Sequence, residues 1–147
     1  MSYTCLNYHI VFTTRQRKPL IDDSVNQRLF SYIAGIVGNM KSRLYIANGI
    51  SDHIHLLVSL STDVSVADCV RTIKTNSSRW MHQTFDEHKD FAWQEGYSAF
   101  SVSYSAIDGV VNYIKGQQEH HKKVSFNEEL KVFLDKHKIE YNPEYLQ

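Results

Sequence analysis

No apolar run in this sequence approaches the roughly 18 to 20 residues that a membrane-spanning helix needs. No basic segment followed by an apolar one stands at its start to act as a secretion signal. The expectation is a cytoplasmic protein with no membrane partner. Cysteine is scarce: Cys5 and Cys69 lie far apart and outside any C-x-x-C spacing. That argues against a disulfide framework and a zinc knuckle and leaves two buried free thiols as the expectation. Neither sign of charge dominates, because Lys+Arg and Asp+Glu both total 16. The global field therefore does not advertise a nucleic-acid partner, and any such site must be local. Internal repeats, low-complexity tracts and long linkers are also missing. With 147 residues, 42% of them hydrophobic, the chain is long enough for one well-buried core and short for two, so residues 1–147 read as one domain.

What is present is organised around Asp52-His53-Ile54-His55-Leu56-Leu57-Val58. In a strand alternate side chains face opposite ways, so His53 and His55 project together while Ile54, Leu56 and Val58 go to the other side. One face can be core and the other chemistry. Two neutral imidazoles at this spacing on a rigid element can share one divalent metal ion.

Around it, residues 5 to 14 alternate as a first strand, with Leu6, Tyr8, Ile10 and Phe12 on one side and Asn7, His9, Val11 and Thr13 on the other. Asp22-Asp23-Ser24 offers N-cap groups for a helix in which Val25, Leu29, Ile33 (or Tyr32), Ile36 and Met40 recur to about Ser42. Leu44 to Ala47 reads as a second strand, and Asn48-Gly49 as the turn of a hairpin into the histidine strand. Ser65-Val66-Ala67-Asp68 is a capping box that opens a long helix whose buried stripe is Val66, Val70 with Cys69, Ile73, Ser77 and Trp80. Gly96 allows a bend or the close approach of another backbone, and Ser98 to Ser103 alternates as a fourth strand. Ser105 to Asp108 reads as a second capping box for a helix at about 106–121, and Ser125 caps a last helix with Leu130, Phe133 and Leu134 apolar, so the C-terminal helix and an extended tail cover about 126–147.

The order β-α-β-β-α-β with an added C-terminal helix is that of an α+β, ferredoxin-like (RRM-like) antiparallel sheet with helices on one face. The other face would stay open and carry Asn7, His9, His53 and His55.

On the helix after Ser105, Ile107, Val111 and Ile114 define the apolar stripe, whereas Tyr113 and Gln117 fall roughly 80 to 120° to one side. Four apart, the two are neighbours on a non-core flank, with His120 a turn further on. A phenol beside an amide can be a nucleophile and an oxygen ligand approaching one metal, or a partly exposed tyrosine packed on a loop. Tyr97 and Tyr104 are competing nucleophiles, but neither has a Gln four residues on along a capped helix. Asp52 either orients a ligand or begins the strand. His9 either reaches the site or is a satisfied sheet histidine.

Taken together these residues resemble the single-tyrosine HUH transposases of small bacterial and archaeal insertion sequences and their repeat-associated relatives, where U is a hydrophobic residue. His53-Ile54-His55 matches the HUH motif, and Tyr113-Ile114-Lys115-Gly116-Gln117 matches the tyrosine helix. Tyr8 to Phe12 and Trp93 to Tyr97 extend the similarity over nearly the whole chain.

The resemblance implies metal-dependent cutting and rejoining of single-stranded DNA with hairpin ends through a 5′-phosphotyrosine intermediate. Tyr113 would be the nucleophile, and His53, His55 and Gln117 the ligands of Mg²⁺ or Mn²⁺. It also implies a homodimer sharing its active sites, and association with the nucleoid when bound to DNA. Asp52, His9 and His120 are candidates for the surrounding shell. Arg15, Arg17, Lys18, Arg71, Lys74 and Arg79 are candidates for binding DNA, against the alternative of a solvated face. A domesticated relative, or a non-catalytic module that binds nucleic-acid hairpins through the same fold, is the competing reading.

Overall fold

A computed structural model describes residues 1–146 of the chain. The sheet is built from the alternation seen in the sequence. The strands β1 (Asn7–Thr13), β2 (Arg43–Ile50), β3 (His53–Ser59) and β4 (Ser98–Val102) lie in the order β2-β3-β1-β4, each antiparallel to its neighbours. Ile10 and Phe12 of β1, with Ile54, Leu56 and Val58 of β3, face one way and are all 2% exposed or less. They pack against α1 (Asn26–Asn39) and α2 (Val66–Thr84) through Leu29, Ile33, Val37, Cys69, Val70, Ile73 and Met81. This is the main core and the reason these strands keep their register: a one-residue slip would turn the apolar set to the opposite face.

Met81, not Trp80, completes the α2 stripe; Trp80 is half-buried and stacks on Tyr32 at 4.8 Å. Ser65 caps α2 by accepting from the Asp68 N–H at 3.0 Å.

The opposite face is not open. The helices α3 (Ile107–Lys115), α4 (Gln117–His120) and α5 (Phe126–Lys136) cover it. Leu57 of β3 packs with Ile107 and Ile114 in a second, smaller cluster, and Phe133 of α5 stacks on Phe100 of β4 at 5.3 Å. Leu57 and Phe100 are apolar positions on the supposedly solvated face, and leaving them in water costs about 1.5–3 kcal/mol each. That is the physical reason the added helices fold back.

Other expectations are corrected locally. Asn48 and Gly49 lie inside β2, and the hairpin turns at Ser51-Asp52. Asn48 is held there because its side chain donates to the Ile114 and Lys115 carbonyls at the end of α3, at 2.9 and 3.2 Å. Gly49 is required by a close approach, since a Cβ would stand 2.2 Å from the His53 carbonyl oxygen.

The α1 helix starts at Asn26 without a side-chain cap, because the Asp22 carboxylate folds a preceding turn onto the Ser24 N–H. Ser105 caps nothing: a 3-10 turn at Tyr104–Ala106 leads into α3, and Ser105 instead bonds Ser103. The helix expected to run unbroken to about 121 is interrupted at Gly116. Cys69 is buried as expected, but Cys5 is exposed. Within the tail expected to be extended, Pro143–Leu146 forms a 3-10 turn, and position 147 lies outside the described residues. Gly96 has φ +88° and nothing within 4 Å of a Cβ there, so it serves a bend and not a close approach of another backbone. Among the described residues no helix is long and apolar enough to cross a membrane.

Candidate active site

The alternation of β3 that buries Ile54 and Leu56 in the main core turns His53 and His55 toward the C-terminal helices, where both are fully buried. Each ring is tied from behind. His53 Nδ1 lies 2.8 Å from Asp52 Oδ1, so Asp52, in the turn just before the strand, holds the ring. His55 Nδ1 lies 2.8 Å from Nε2 of His9, which reaches across from β1. His9 is thus part of the site and not an isolated sheet histidine. Burial, reinforced by the neighbouring His55, lowers its pKa to about 3, so it is neutral. The Asp52 carboxyl is raised by burial, but the hydrogen bond to His53 and the charge of Arg17 outweigh this and hold it below the usual range.

Glu129, on the first turn of α5, enters the space in front of the histidines. This buried carboxylate was not anticipated. Its Oε1 lies 2.9 Å from His55 Nε2, 3.3 Å from His121 Nε2 and 3.8 Å from His53 Nε2. Its Oε2 accepts from the Tyr113 hydroxyl and from Gln117 Nε2 at 3.1 Å, with His120 Nε2 also at 3.1 Å.

Burial pushes the Glu129 carboxyl up, but the hydrogen bonds from His55, Tyr113 and Gln117 dominate and hold it well below the usual carboxylate range. Burial and the adjacent carboxylate together push the Tyr113 phenol far above its ordinary value. The proton therefore rests on the tyrosine. Burial lowers His55 and His121, against the opposing pull of Glu129.

The nucleophile candidate and the histidine pair meet within one chain, with the Tyr113 ring centroid 6.0 Å from that of His55. Gln117, expected on a non-core flank, is fully buried. The interruption at Gly116 displaces it from simple helical placement, and its amide lies between Glu129 and His121. Tyr97 and Tyr104 are largely exposed and make no hydrogen bond to the histidines among the described residues.

His121 also escaped sequence reasoning. The signals were present but faint. Glu129 is a carboxylate on the apolar stripe of α5, three residues after Phe126 and four before Phe133, and His121 follows Gln117 by four. The nitrogen or oxygen donors of His53, His55, His121 and Glu129 lie within 4.8 Å of one another, a grouping able to hold a metal ion.

The basic candidates divide. Arg15, Arg71, Lys74 and Arg79 line one open groove of about 930 Å³ with Ser78 and Trp93. Two of these already have partners: Lys74 donates to the carbonyls of Gln94 and Gly96, and Arg71 pairs with Asp68. Arg17 turns away from the groove, bonds Asp52 and Asn127 at 3.4 Å and lies over the Phe126 ring at 5.0 Å. Lys18 is exposed and outside the groove.

A family model described as transposase IS200 like matches residues 2–117. The chain belongs to the IS200-like transposase family. It is 23% identical over 119 residues to the ISDra2 transposase TnpA of Deinococcus radiodurans, covering 78% of this chain and 85% of that one. To the transposase of insertion sequence element IS200 from Salmonella typhimurium it is 26% identical over 121 residues, covering 78% of each.

Two solved structures share the fold. One is a Deinococcus radiodurans R1 protein described as a transposase (TM-score 0.63, 23% identity, 79% of this chain and 93% of that one). The other is a REP-associated tyrosine transposase bound to a REP hairpin (TM-score 0.63, 16% identity, 84% and 73%). In this IS200-like transposase the family match ends at Gln117, so His120, His121 and Glu129 all lie beyond it.

Proposed function

We propose that this transposase cuts and rejoins single-stranded DNA by metal-dependent transesterification, with Tyr113 as the nucleophile and His53, His55 and Gln117 among the ligands of a divalent ion, Mg²⁺ or Mn²⁺. The observation that carries the reading is the Tyr113 hydroxyl at the edge of the buried histidine cluster, hydrogen-bonded to a carboxylate that also touches His55. The donor set fits such an ion, since neutral imidazoles and carboxylate or amide oxygens are ligands for divalent metals of this class. When bound, the ion would polarise the scissile phosphate and offset charge on the departing oxygen.

The chain's own groups account for the rest. A cleft of about 540 Å³ lined by Tyr113, His120, Glu129, Val110 and Phe133 leads to the phenol and gives a strand access to it. The Tyr113 oxygen attacks phosphorus, the bond to the 3′ oxygen breaks, and the products are a 5′-phosphotyrosine and a 3′-hydroxyl after that oxygen takes a proton from water. The phenol proton leaves along its hydrogen bond to Glu129 as the new O–P bond forms and passes on to solvent, which balances the proton that the 3′ oxygen takes up. Reversal with a different 3′-hydroxyl rejoins the strand without ATP, because the phosphodiester energy is kept in the tyrosyl ester.

The partner is single-stranded DNA with hairpin ends, a reading supported by the fold shared with a protein whose structure holds a REP hairpin. The groove lined by Arg15, Arg71, Lys74 and Arg79 is the surface for its backbone. Because Tyr113 lies against the histidines of its own chain, we take it to serve that chain.

The test is a covalent-adduct assay: labelled single strands from the flanks of the gene are incubated with protein and Mn²⁺, then run on a denaturing gel beside Tyr113→Phe. A metal-dependent shifted band in wild type only is expected. A band that persists in the variant would shift the role to another tyrosine. Tight hairpin binding with no band on any flank would favour the non-catalytic module.

A further inference from the structure

We propose that the segment after the family-matched residues completes the metal centre: His121 and the Glu129 carboxylate are ligands beside His53 and His55, so that one chain supplies a site of three imidazoles and a carboxylate. The proposal deepens the metal-dependent reading above and rests on it for the use of the ion, though not for its binding.

The outer partners of the rings decide which nitrogens face inward. The partner of His53 Nδ1 is a carboxylate oxygen of Asp52, and the partner of His121 Nδ1 is the Val124 carbonyl at 2.9 Å. Both partners can only accept, so both Nδ1 atoms carry hydrogen and both Nε2 atoms are the nitrogens left to face an ion. Those two Nε2 atoms face each other at 3.1 Å.

Gln117 adds a third acceptor. Its Nε2 donates to Glu129 Oε2, which turns its Oε1 toward His121 Nε2 at 3.0 Å. Glu129 Oε1 is a fourth, 3.3 Å from His121 Nε2 and 3.8 Å from His53 Nε2. These four acceptors converge, and a cation, whether a proton or a metal ion, relieves the repulsion among their lone pairs. Before an ion binds, His55 Nε2 instead donates to Glu129 Oε1 at 2.9 Å, and it joins the ligands when its hydrogen shifts to Nδ1, against His9 Nε2 at 2.8 Å.

The spacing agrees with one ion. Ligands at about 2.0–2.2 Å from a divalent ion stand about 2.8–3.1 Å apart at octahedral angles and about 3.3–3.6 Å apart at tetrahedral ones. Three edges here are 2.9 Å (His55 to Glu129), 3.1 Å (His53 to His121) and 3.3 Å (His121 to Glu129), His53 to Glu129 is 3.8 Å, and all four donors lie within 4.8 Å, so a small inward closure around an ion completes the set. The outer contacts are those of a built site: each ligating ring has its far nitrogen held, by Asp52, His9 or Val124.

Three imidazoles with one carboxylate favour a borderline ion such as Mn²⁺ over Mg²⁺, which prefers oxygen. Glu129 then spans the centre, with Oε1 toward the ion and Oε2 on the Tyr113 hydroxyl.

The experiment is a Mn²⁺ titration of the full chain without DNA, followed by calorimetry and by loss of the free-ion EPR signal. Wild type is compared with Glu129→Gln, His121→Ala and the exposed Tyr104→Phe. One bound ion is expected in wild type, with affinity falling about tenfold or more in the first two variants and staying within about threefold in Tyr104→Phe, which touches none of the ligands. Mn²⁺ should raise the melting temperature of wild type and fail to raise that of Glu129→Gln. Glu129→Asp keeps the carboxylate and guards against misfolding: partial affinity there supports ligation.

Affinities of Glu129→Gln and His121→Ala within twofold of wild type would overturn the assignment, as would a wild-type chain that takes up no ion. The two levels separate cleanly. Mn²⁺ binding that depends on Glu129 in a protein forming no DNA adduct leaves the ligand set standing and removes the nucleophile. An active protein whose binding depends on His53 and His55 alone does the reverse.

Discussion

Tyr113 donates its hydroxyl hydrogen to one oxygen of Glu129, and the second oxygen of that carboxylate faces His55 across 2.9 Å. A single side chain on α5 therefore links the nucleophile candidate to the histidine strand. The consequence is that the site depends on how α5 is docked and on the exact path of the β2–β3 hairpin, and both can be tested.

Gly49→Ala should be among the most damaging small substitutions in the protein. The added methyl would meet the His53 carbonyl oxygen at 2.2 Å and the Ile54 Cα at 2.8 Å, both backbone atoms that cannot swing away. A loss of about 3 kcal/mol or more is expected, together with displacement of His53. Gly35→Ala is the control. It lies in α1 with nothing within 4 Å of the new methyl and should stabilise by up to about 1 kcal/mol. Paired denaturant melts check the sign of each.

Arg17→Ala should loosen α5 more than it lowers global stability. Arg17 joins the β1–α1 connection to Asp52, Asn127 and the Phe126 ring. Being partly exposed, these contacts are worth only about 1 kcal/mol together. Amide hydrogen exchange in α5 should accelerate several-fold while α2 is unchanged. Uniform acceleration in both helices would count against a docking role.

The two cysteines should separate by reactivity. Cys5 is exposed and should react with a thiol reagent in the native state, whereas Cys69 should react only on unfolding. Burial raises the Cys69 pKa from 9.0 to about 11. Its contribution to stability is therefore complete below pH 9 and is lost as pH rises through 9 to 11, because the unfolded thiol ionises first. The decline should reach about 2 kcal/mol. It should be smaller in Cys69→Ala, compared by denaturant melts between pH 8 and 11.

If Tyr113 serves its own chain, mixing Tyr113→Phe with His55→Ala should not restore the DNA adduct. Recovery of about a quarter to a half of wild-type signal would instead establish sites shared across a homodimer. The measurement is the denaturing-gel band of the mixture beside each variant alone.

Local patterns carried a great deal of this. The period-two alternation of β1 and β3, the Ser65 and Ser125 caps, and the apolar stripes of α1 and α2 appear in the structure much as their residue types dictate. The shared face of His53 and His55 and the flank placement of Tyr113 were legible because each lies on an element whose periodicity is plain, whereas Gln117 lies past the break at Gly116. Asn48-Gly49 misled because a turn-forming pair is also what a strand needs where an amide must cap a neighbouring helix and a backbone passes too close for a Cβ.

What the sequence by itself determined is the β-α-β-β-α-β order and the face on which each histidine lies, since both follow from spacing along the chain. Only the tertiary structure decided that the histidine face is covered, that Gln117 is buried, and that Glu129 and His121 complete the cluster. Those facts come from residues 74 and 66 positions beyond His55 being brought within hydrogen-bonding range of the same point, a closure driven by burial of Leu57, Phe100 and Phe133 that has no signature in local periodicity.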